Sequence, residues 1–375
     1  MLRETADLTA SFASDRPLVA LTLGDVAGIG PEIVARACTN AEIRGLCRPL
    51  VVGEATILER ALALVGSSAS VRRIEGPSQL DRAHQDDERH LAIPCWNPLD
   101  ERASAALRSV PLGALDARTG RAAYEWLVAA TRAALDGSVD AIVTAPLNKA
   151  ALHLAELDYP GHTEILADCC GTPNYAMMLF VPPGDIVRSP RGLGVAHVTL
   201  HTSVASVPGL LSTQGILEKI RLVDEFLRQV DVEQPRIGVC ALNPHAGEAG
   251  LFGDEEQRLI APAVAQAVAE GVMATGPVPA DALIRRAIGG DFDGVVAMYH
   301  DQGHIPIKLV ARDAAVNITL GLPIVRTSPS HGTAFDIAGQ GRASAGGMME
   351  AIRVAGALAR RRCPVPQIGE APRAR

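Results

Sequence analysis

An α/β fold of two packed lobes is the predicted architecture, and three observations predict it. The chain has 375 residues, too many for one small core. Short apolar runs alternate along it with stretches of helical period, the pattern of strands feeding helices. Hydrophobic residues make up 48% and aromatics only 3%, so the core is built from Ala, Val, Leu and Ile, as stacked strands and helices require.

The elements justify themselves in order. Residues 1–16 contain no long apolar segment and read as a disordered extension. Leu18 to Leu23 is a strand that opens into Gly24-Asp-Val-Ala-Gly-Ile-Gly-Pro-Glu32. Pro31 suits the first turn of the helix carrying Ile33, Val34 and Ala37. Residues 72–104, polar and Pro-containing, read as an irregular surface excursion. Ala123, Trp126, Leu127, Ala130 and Ala134 share one helical face, and Gly137 stops that helix. Ala141 to Thr144 is the next strand. Ile216, Ile220, Val223, Leu227 and Val230 mark another helix, with Thr213 as its expected cap. Ile237 to Leu242 and Asp293 to Met298 are strands again. The expected division is a discontinuous first lobe, 17–150 with 285–375, and a second lobe, 151–284, with the active site in the cleft between them.

Composition removes several classes of function. A net charge of −7 with dispersed basic residues argues against nucleic acid as a partner. No apolar run approaches the length that spans a bilayer. The seven cysteines lack CxxC spacing, which predicts reduced, buried thiols and a cytoplasmic protein. GxSxG, HExxH and the Walker loop are all absent, and Gly24 to Gly30 has the wrong glycine spacing for a dinucleotide fingerprint.

The histidines separate by context. His84, His90 and His153 lie in polar or helical surroundings, as surface residues do, and His197 sits inside an apolar run as a core histidine would. His201, His245 and His300 each come just after a predicted strand, where open α/β sheets place ligands. Three imidazoles delivered to strand ends predict one shared ion, zinc first, with cobalt, magnesium or manganese as alternatives. Asp301 is the neighbour that would orient His300. The stretch Met298-Tyr-His-Asp-Gln-Gly-His-Ile-Pro-Ile-Lys308 reads as a strand end, then a glycine turn, then a lysine.

A second group predicts anion recognition. Lys308, Asn317 and Arg326 combine two cations and an amide close in sequence, a set suited to phosphate or carboxylate. In His331-Gly-Thr-Ala-Phe-Asp-Ile-Ala-Gly-Gln-Gly341, glycines would let backbone approach a ligand closely.

From 17 to 360 these residues resemble the 4-hydroxythreonine-4-phosphate dehydrogenase family. The matching segments are Gly24 to Glu32, Thr144-Ala-Pro-Leu-Asn-Lys149, Gly161-His-Thr-Glu164, Asn243-Pro-His-Ala-Gly-Glu248, Tyr299-His-Asp-Gln-Gly303, Val316 to Pro323 and His331-Gly-Thr-Ala334. The resemblance implies an isocitrate/isopropylmalate-dehydrogenase-like fold of two α/β/α lobes and a homodimer with its site at the interface. It implies a metal on His201, His245 and His300, with substrate held by His162, Thr163, Lys308, Asn317 and Arg326. Lys308 and Asp301 would serve catalysis. NAD or NADP would accept hydride, held by the loop containing His331, Gly332, Thr333, Asp336 and Gly339. The implied reaction is metal-dependent oxidation of a secondary hydroxyl on a small phosphorylated hydroxy acid, with decarboxylation of a β-keto product.

Four departures bear on the substrate, one of them a longer loop from Pro182 to Arg191. Val26 stands where the family has proline, Pro329-Ser330 precedes His331, and His304-Ile-Pro-Ile-Lys308 is similar to branches outside vitamin B6 synthesis. Those branches oxidise D-threonate or D-erythronate 4-phosphate, or the cis-dihydrodiol of terephthalate. A phosphate acyltransferase of related fold is the rival enzyme class, and it needs no three-histidine metal site.

Overall fold

The computed structural model describes residues 16–80, 91–311 and 314–361. The expected extension, apart from Arg16, lies outside the described residues, as do His84 and His90. Among the described residues, twelve strands form one sheet. They are β1 (Leu18–Thr22), β2 (Arg48–Val52), β3 (Ser70–Ile74), β4 (Ala92–Trp96), β5 (Ala141–Thr144) and β6 (Ala176–Val181), then β7 (Leu193–His197), β8 (Arg236–Cys240), β9 (Met273–Val278), β10 (Gly294–Ala297), β11 (Val316–Leu320) and β12 (Arg326–Pro329). Their order across the sheet is β3-β4-β2-β1-β5-β12-β11-β6-β7-β10-β8-β9.

Direction divides the sheet. From β3 to β12 all neighbours pair in parallel, and from β7 to β9 they do so again. Between the halves, β11 runs antiparallel to both β12 and β6, and β6 antiparallel to β7. Central strands such as β1, β5 and β10 are buried along their whole length, which is why they read as unbroken apolar runs. The stretch from 285 was expected in the first lobe, yet β10 stands between β7 and β8, and the helix His300–Ala311 packs over β6, β7 and β10.

Within the excursion expected at 72–104, residues 72–80 and 91–104 carry regular elements instead, and 81–90 lie outside the described residues. β3 and β4 pair at the sheet edge, and Asp100 caps the helix Glu101–Arg108 by accepting the Ala103 N–H at 2.7 Å. An edge strand half in water carries charge, so Arg72 and Arg73 hid the strand signal. The cap of the helix Thr213–Gln229 also differs: Ser212 accepts the Gly215 N–H at 3.1 Å, while the Thr213 hydroxyl donates to the Leu259 carbonyl.

The helix Ala117–Leu135 buries Trp126 and Leu127 against the sheet and presses Gly120 onto the helix Lys149–Leu154. A Cβ on Gly120 would stand 2.1 Å from the Ala151 carbonyl oxygen. Gly120→Ala is therefore expected to destabilise by roughly 1–3 kcal/mol through overpacking, outweighing the roughly 1 kcal/mol that alanine adds within a helix. Urea denaturation should show a lowered midpoint with unchanged slope; an equal or higher midpoint would show that the helices separate freely.

Candidate active site

Register brings the site together on one face of the middle strands. Asn317 pairs with Leu179 and Ser328, and Thr319 pairs with Met177, so these side chains point the same way. Arg326, two residues before Ser328 on β12, shares that face and donates to Thr319 Oγ1 at 3.0 Å. Its other terminal nitrogen donates to Thr144 Oγ1 at 2.7 Å, at the carboxyl end of β5.

Arg326 is only 1% exposed, and its Nε has no hydrogen-bond partner. No carboxylate lies within ion-pair reach of it among the described residues. Burial pulls its pKa down to about 9, partly offset by Glu164, so the guanidinium remains charged at neutral pH. A buried cation without a counter-ion is costly unless an anion arrives. Asn317 adds a second sign of an absent partner, because its buried Oδ1 is unbonded.

These residues line a cavity of about 260 Å³ with His162, Thr163, Lys308, His201 and His300, and with His331 and Gly332 at one side. His162 and Thr163 begin the helix His162–Cys170, whose cap, Gly161, offers no side chain, so the first N–H groups are left for a ligand. Burial and the Arg326 guanidinium push His162 well below its ordinary pKa, keeping its ring neutral. Gly161, His162 and Lys149 come from the loops and helix starts that come after β5.

The segment after β10 is helical, not a turn. Its helix spans His300–Ala311 despite Pro306, and the i, i+4, i+8 spacing sets His300, His304 and Lys308 on one face. Gly303 therefore makes no turn; it lets the helix touch β7, since a Cβ there would stand 2.4 Å from His197 Nε2. Pro306 and Gly303 obscured the helix in the sequence, because both are poor helix residues.

The three metal candidates come after β7, β8 and β10, which are adjacent and parallel. His201 and His300 face each other with ring centroids 6.0 Å apart. His300 Nδ1 donates to Asp301 Oδ1 at 2.6 Å, which leaves Nε2 with a lone pair. Desolvation, helped by Lys149, lowers the pKa of His201 and keeps its imidazole neutral. His245 does not join them within one chain. It lies exposed on a run of left-handed residues, His245 to Ala249, and lines a separate cavity of about 700 Å³ with Asn243, Tyr299 and Asp301. Among the described residues, no three His, Cys, Asp or Glu side chains are grouped closely enough to hold an ion.

Thr333, Asp336 and Gly339 stand outside the 260 Å³ cavity, on a loop laid against the first glycine turn. The Ile29 N–H donates to the Thr333 carbonyl at 3.0 Å, and a Cβ on Gly28 would meet that oxygen at 2.6 Å. Gly28 is thus required by the close approach of two backbones. Beneath this contact lies Asp25, fully buried, with Oδ1 accepting the Ala27 N–H at 2.9 Å. Its Oδ2 has no hydrogen-bond partner, although the Thr119 hydroxyl lies near enough to act on its charge.

Burial raises the Asp25 pKa from 3.8 to about 6, against the pull of Ala27 and Thr119. A raised carboxyl penalises the folded state as it ionises, so the penalty grows between about pH 4 and 6 and is constant above. Asp25→Asn is expected to stabilise by up to about 3 kcal/mol above pH 6 and by nothing below about pH 4. Melting temperatures of the two proteins at pH 4 and 7.5 check this; a pH-independent difference would refute it.

Sequence reasoning missed Thr144 and Thr319, which fix Arg326, and the His197–His304 contact at 3.1 Å. The one local signal was His304 at i+4 from His300, visible only if the segment is read as a helix.

Comparison with known proteins gives close likenesses. The family model described as pyridoxal phosphate biosynthetic protein PdxA matches residues 45–355. A 4-hydroxythreonine-4-phosphate dehydrogenase from Geobacter metallireducens is 43% identical over 345 residues, 92% of this chain and 96% of that protein. A D-threonate 4-phosphate dehydrogenase from Cupriavidus necator is 43% identical over 347 residues, 92% of this chain and 98% of that protein. The crystal structure of 4-hydroxythreonine-4-phosphate dehydrogenase from Klebsiella pneumoniae superposes with a TM-score of 0.78 at 42% identity, covering 92% of this chain and 99% of that one.

Proposed function

This chain belongs to the PdxA family of pyridoxal phosphate biosynthetic proteins, and from that premise we propose that it is a dehydrogenase oxidising a secondary hydroxyl on a small phosphorylated hydroxy acid. The observation that carries the reading is Arg326, a buried guanidinium facing the cavity with no carboxylate within ion-pair reach among the described residues. A phosphate on the substrate supplies the missing charge, gripped by Arg326, Asn317 and Lys308 and by the N–H groups at the start of the His162 helix. Relatives named for 4-hydroxythreonine 4-phosphate and for D-threonate 4-phosphate are equally similar, so either is a starting substrate.

The residues also fit a divalent metal and a nicotinamide. His201 and His300 face each other across the cavity, and Asp301 accepts a hydrogen bond from His300 Nδ1, which would leave Nε2 to serve as the metal donor atom. His245 would supply the third imidazole to the cavity of a partner subunit in a homodimer. Exposed apolar side chains support this pairing: Leu309 is 80% exposed on the His300 helix, and Leu251 is 73% exposed just after the His245 turn. A divalent metal held there would supply polarisation of the substrate hydroxyl, and NAD or NADP would supply the hydride acceptor. The loop of His331, Gly332, Thr333, Asp336 and Gly339 would hold the nicotinamide cofactor, its backbone brought close by the contact with Gly28. Lys308, on the same helix face as His300 and lining the cavity, would balance the negative charge of the bound substrate or move a proton.

No helix among the described residues is long and apolar enough to cross a membrane. Cys38, Cys47, Cys95 and Cys240 are free and buried, in keeping with the reduced compartment of a cytoplasmic enzyme. The deciding experiment is nicotinamide reduction with a panel of hydroxy-acid phosphates and aromatic cis-dihydrodiol carboxylates. Turnover confined to the dihydrodiols would replace the phosphate reading by a carboxylate one, and turnover of neither would remove the dehydrogenase reading.

A further inference from the structure

His304 has no part in the binding set above, yet it lines the same cavity and is 6% exposed. Its ring stacks on His300 with centroids 3.7 Å apart and planes 11° apart, and lies 4.6 Å from the ring of His197. Hydrogen-bond chemistry fixes the tautomers of this cluster. His197 Nδ1 lies 3.4 Å from the Met177 carbonyl oxygen, which only accepts, so the His197 proton is on Nδ1 and Nε2 carries a lone pair. His304 Nδ1 lies 3.1 Å from that Nε2 and 3.2 Å from the His300 carbonyl oxygen. Both neighbours are acceptors, so His304 must carry its proton on Nδ1.

The other nitrogen of His304 is then a bare acceptor. It is not among the buried side-chain atoms left without a partner, and Nδ1 is already turned to the protein, so Nε2 is open to the cavity. We infer that His304 Nε2 is a fixed hydrogen-bond acceptor in the substrate cavity, held in register by His197, and that it takes a hydrogen bond from a hydroxyl of the bound substrate. The inference rests on the reading that this cavity holds the substrate. Gly303 belongs to the same device, since any larger residue would push the helix off His197 and break the relay. His304 thus acts as a positioning and specificity residue: it rewards a hydroxyl at its place and gives nothing to a substrate with hydrogen there.

Two variants and one spectrum test this with the full-length enzyme. Asparagine keeps a donor near Nδ1 and loses the cavity acceptor, whereas glutamine can carry a carbonyl oxygen to the position of Nε2. With a phosphorylated hydroxy acid that the wild type oxidises, His304→Asn is expected to lower kcat/KM roughly three- to tenfold, the range for one neutral hydrogen bond, and His304→Gln to recover most of it. Wild type should bind an unreactive analogue more tightly than the same analogue lacking one hydroxyl, and that preference should vanish in His304→Asn. Nitrogen-15 NMR of labelled histidines should show the His304 proton on Nδ1. A His304→Asn enzyme with wild-type kcat/KM and an intact preference, or a proton found on Nε2, overturns the inference. If no phosphorylated hydroxy acid is oxidised at all, the substrate reading fails, and the tautomer still decides the role of His304.

Discussion

Arg326→Met is expected to raise KM for the phosphorylated substrate and lower kcat/KM about ten- to a hundredfold, since each charge-assisted bond lost is worth roughly 1.5–3 kcal/mol. The same change should stabilise the folded protein without ligand, by up to about 1–4 kcal/mol, because it replaces a buried cation that has no ion-pair partner with an apolar side chain of similar length. Opposite signs on the two readouts separate a binding arginine from a structural one. Thr144 and Thr319 spend their hydroxyl oxygens on its terminal nitrogens, so the guanidinium is aimed before the substrate arrives. Steady-state kinetics with thermal melting checks both halves. A destabilised variant with unchanged KM would show that Arg326 holds the sheet together and does not hold the substrate.

Mixing two dead enzymes is expected to restore activity. His245→Ala and His300→Ala should each be inactive in a pure dimer, since each removes one imidazole from every site. If the site draws His201 and His300 from one subunit and His245 from its partner, a mixed dimer holds one intact site. Random exchange makes half the dimers mixed, so about a quarter of wild-type activity should return. The expectation grows from the position of His245, exposed on its left-handed turn beside a cavity different from that of His201 and His300. Subunit exchange confirmed by mass, with no return of activity, would place all three imidazoles in separate roles.

Several features were legible from local pattern alone. β1, β5 and β10 announce themselves as apolar runs because strands buried on both faces need apolar residues at every position. The histidines after β7, β8 and β10 were legible for a related reason: a chain leaving a buried strand must emerge where the sheet ends. Lys308, Asn317 and Arg326 stood out as charge and amide placed next to such strands. Reading failed where the local signal was ambiguous. Charged β3 looked like a loop, and Gly303 with Pro306 looked like a turn although packing on β6, β7 and β10 keeps that segment helical.

By itself, then, the sequence determined the α/β class, the strand ends, and the residue types gathered there, because hydrophobic periodicity is a local property of the chain. Tertiary structure alone decided which of those residues meet. Thr144 reaches Arg326 across 182 positions only because β12 inserts beside β5, and His304 finds His197 only because a glycine lets a helix settle on β7. It also set His245 apart from His201 and His300. Strand order and close packing are long-range outcomes, fixed by burial of the whole sheet, and no window of neighbouring residues contains them.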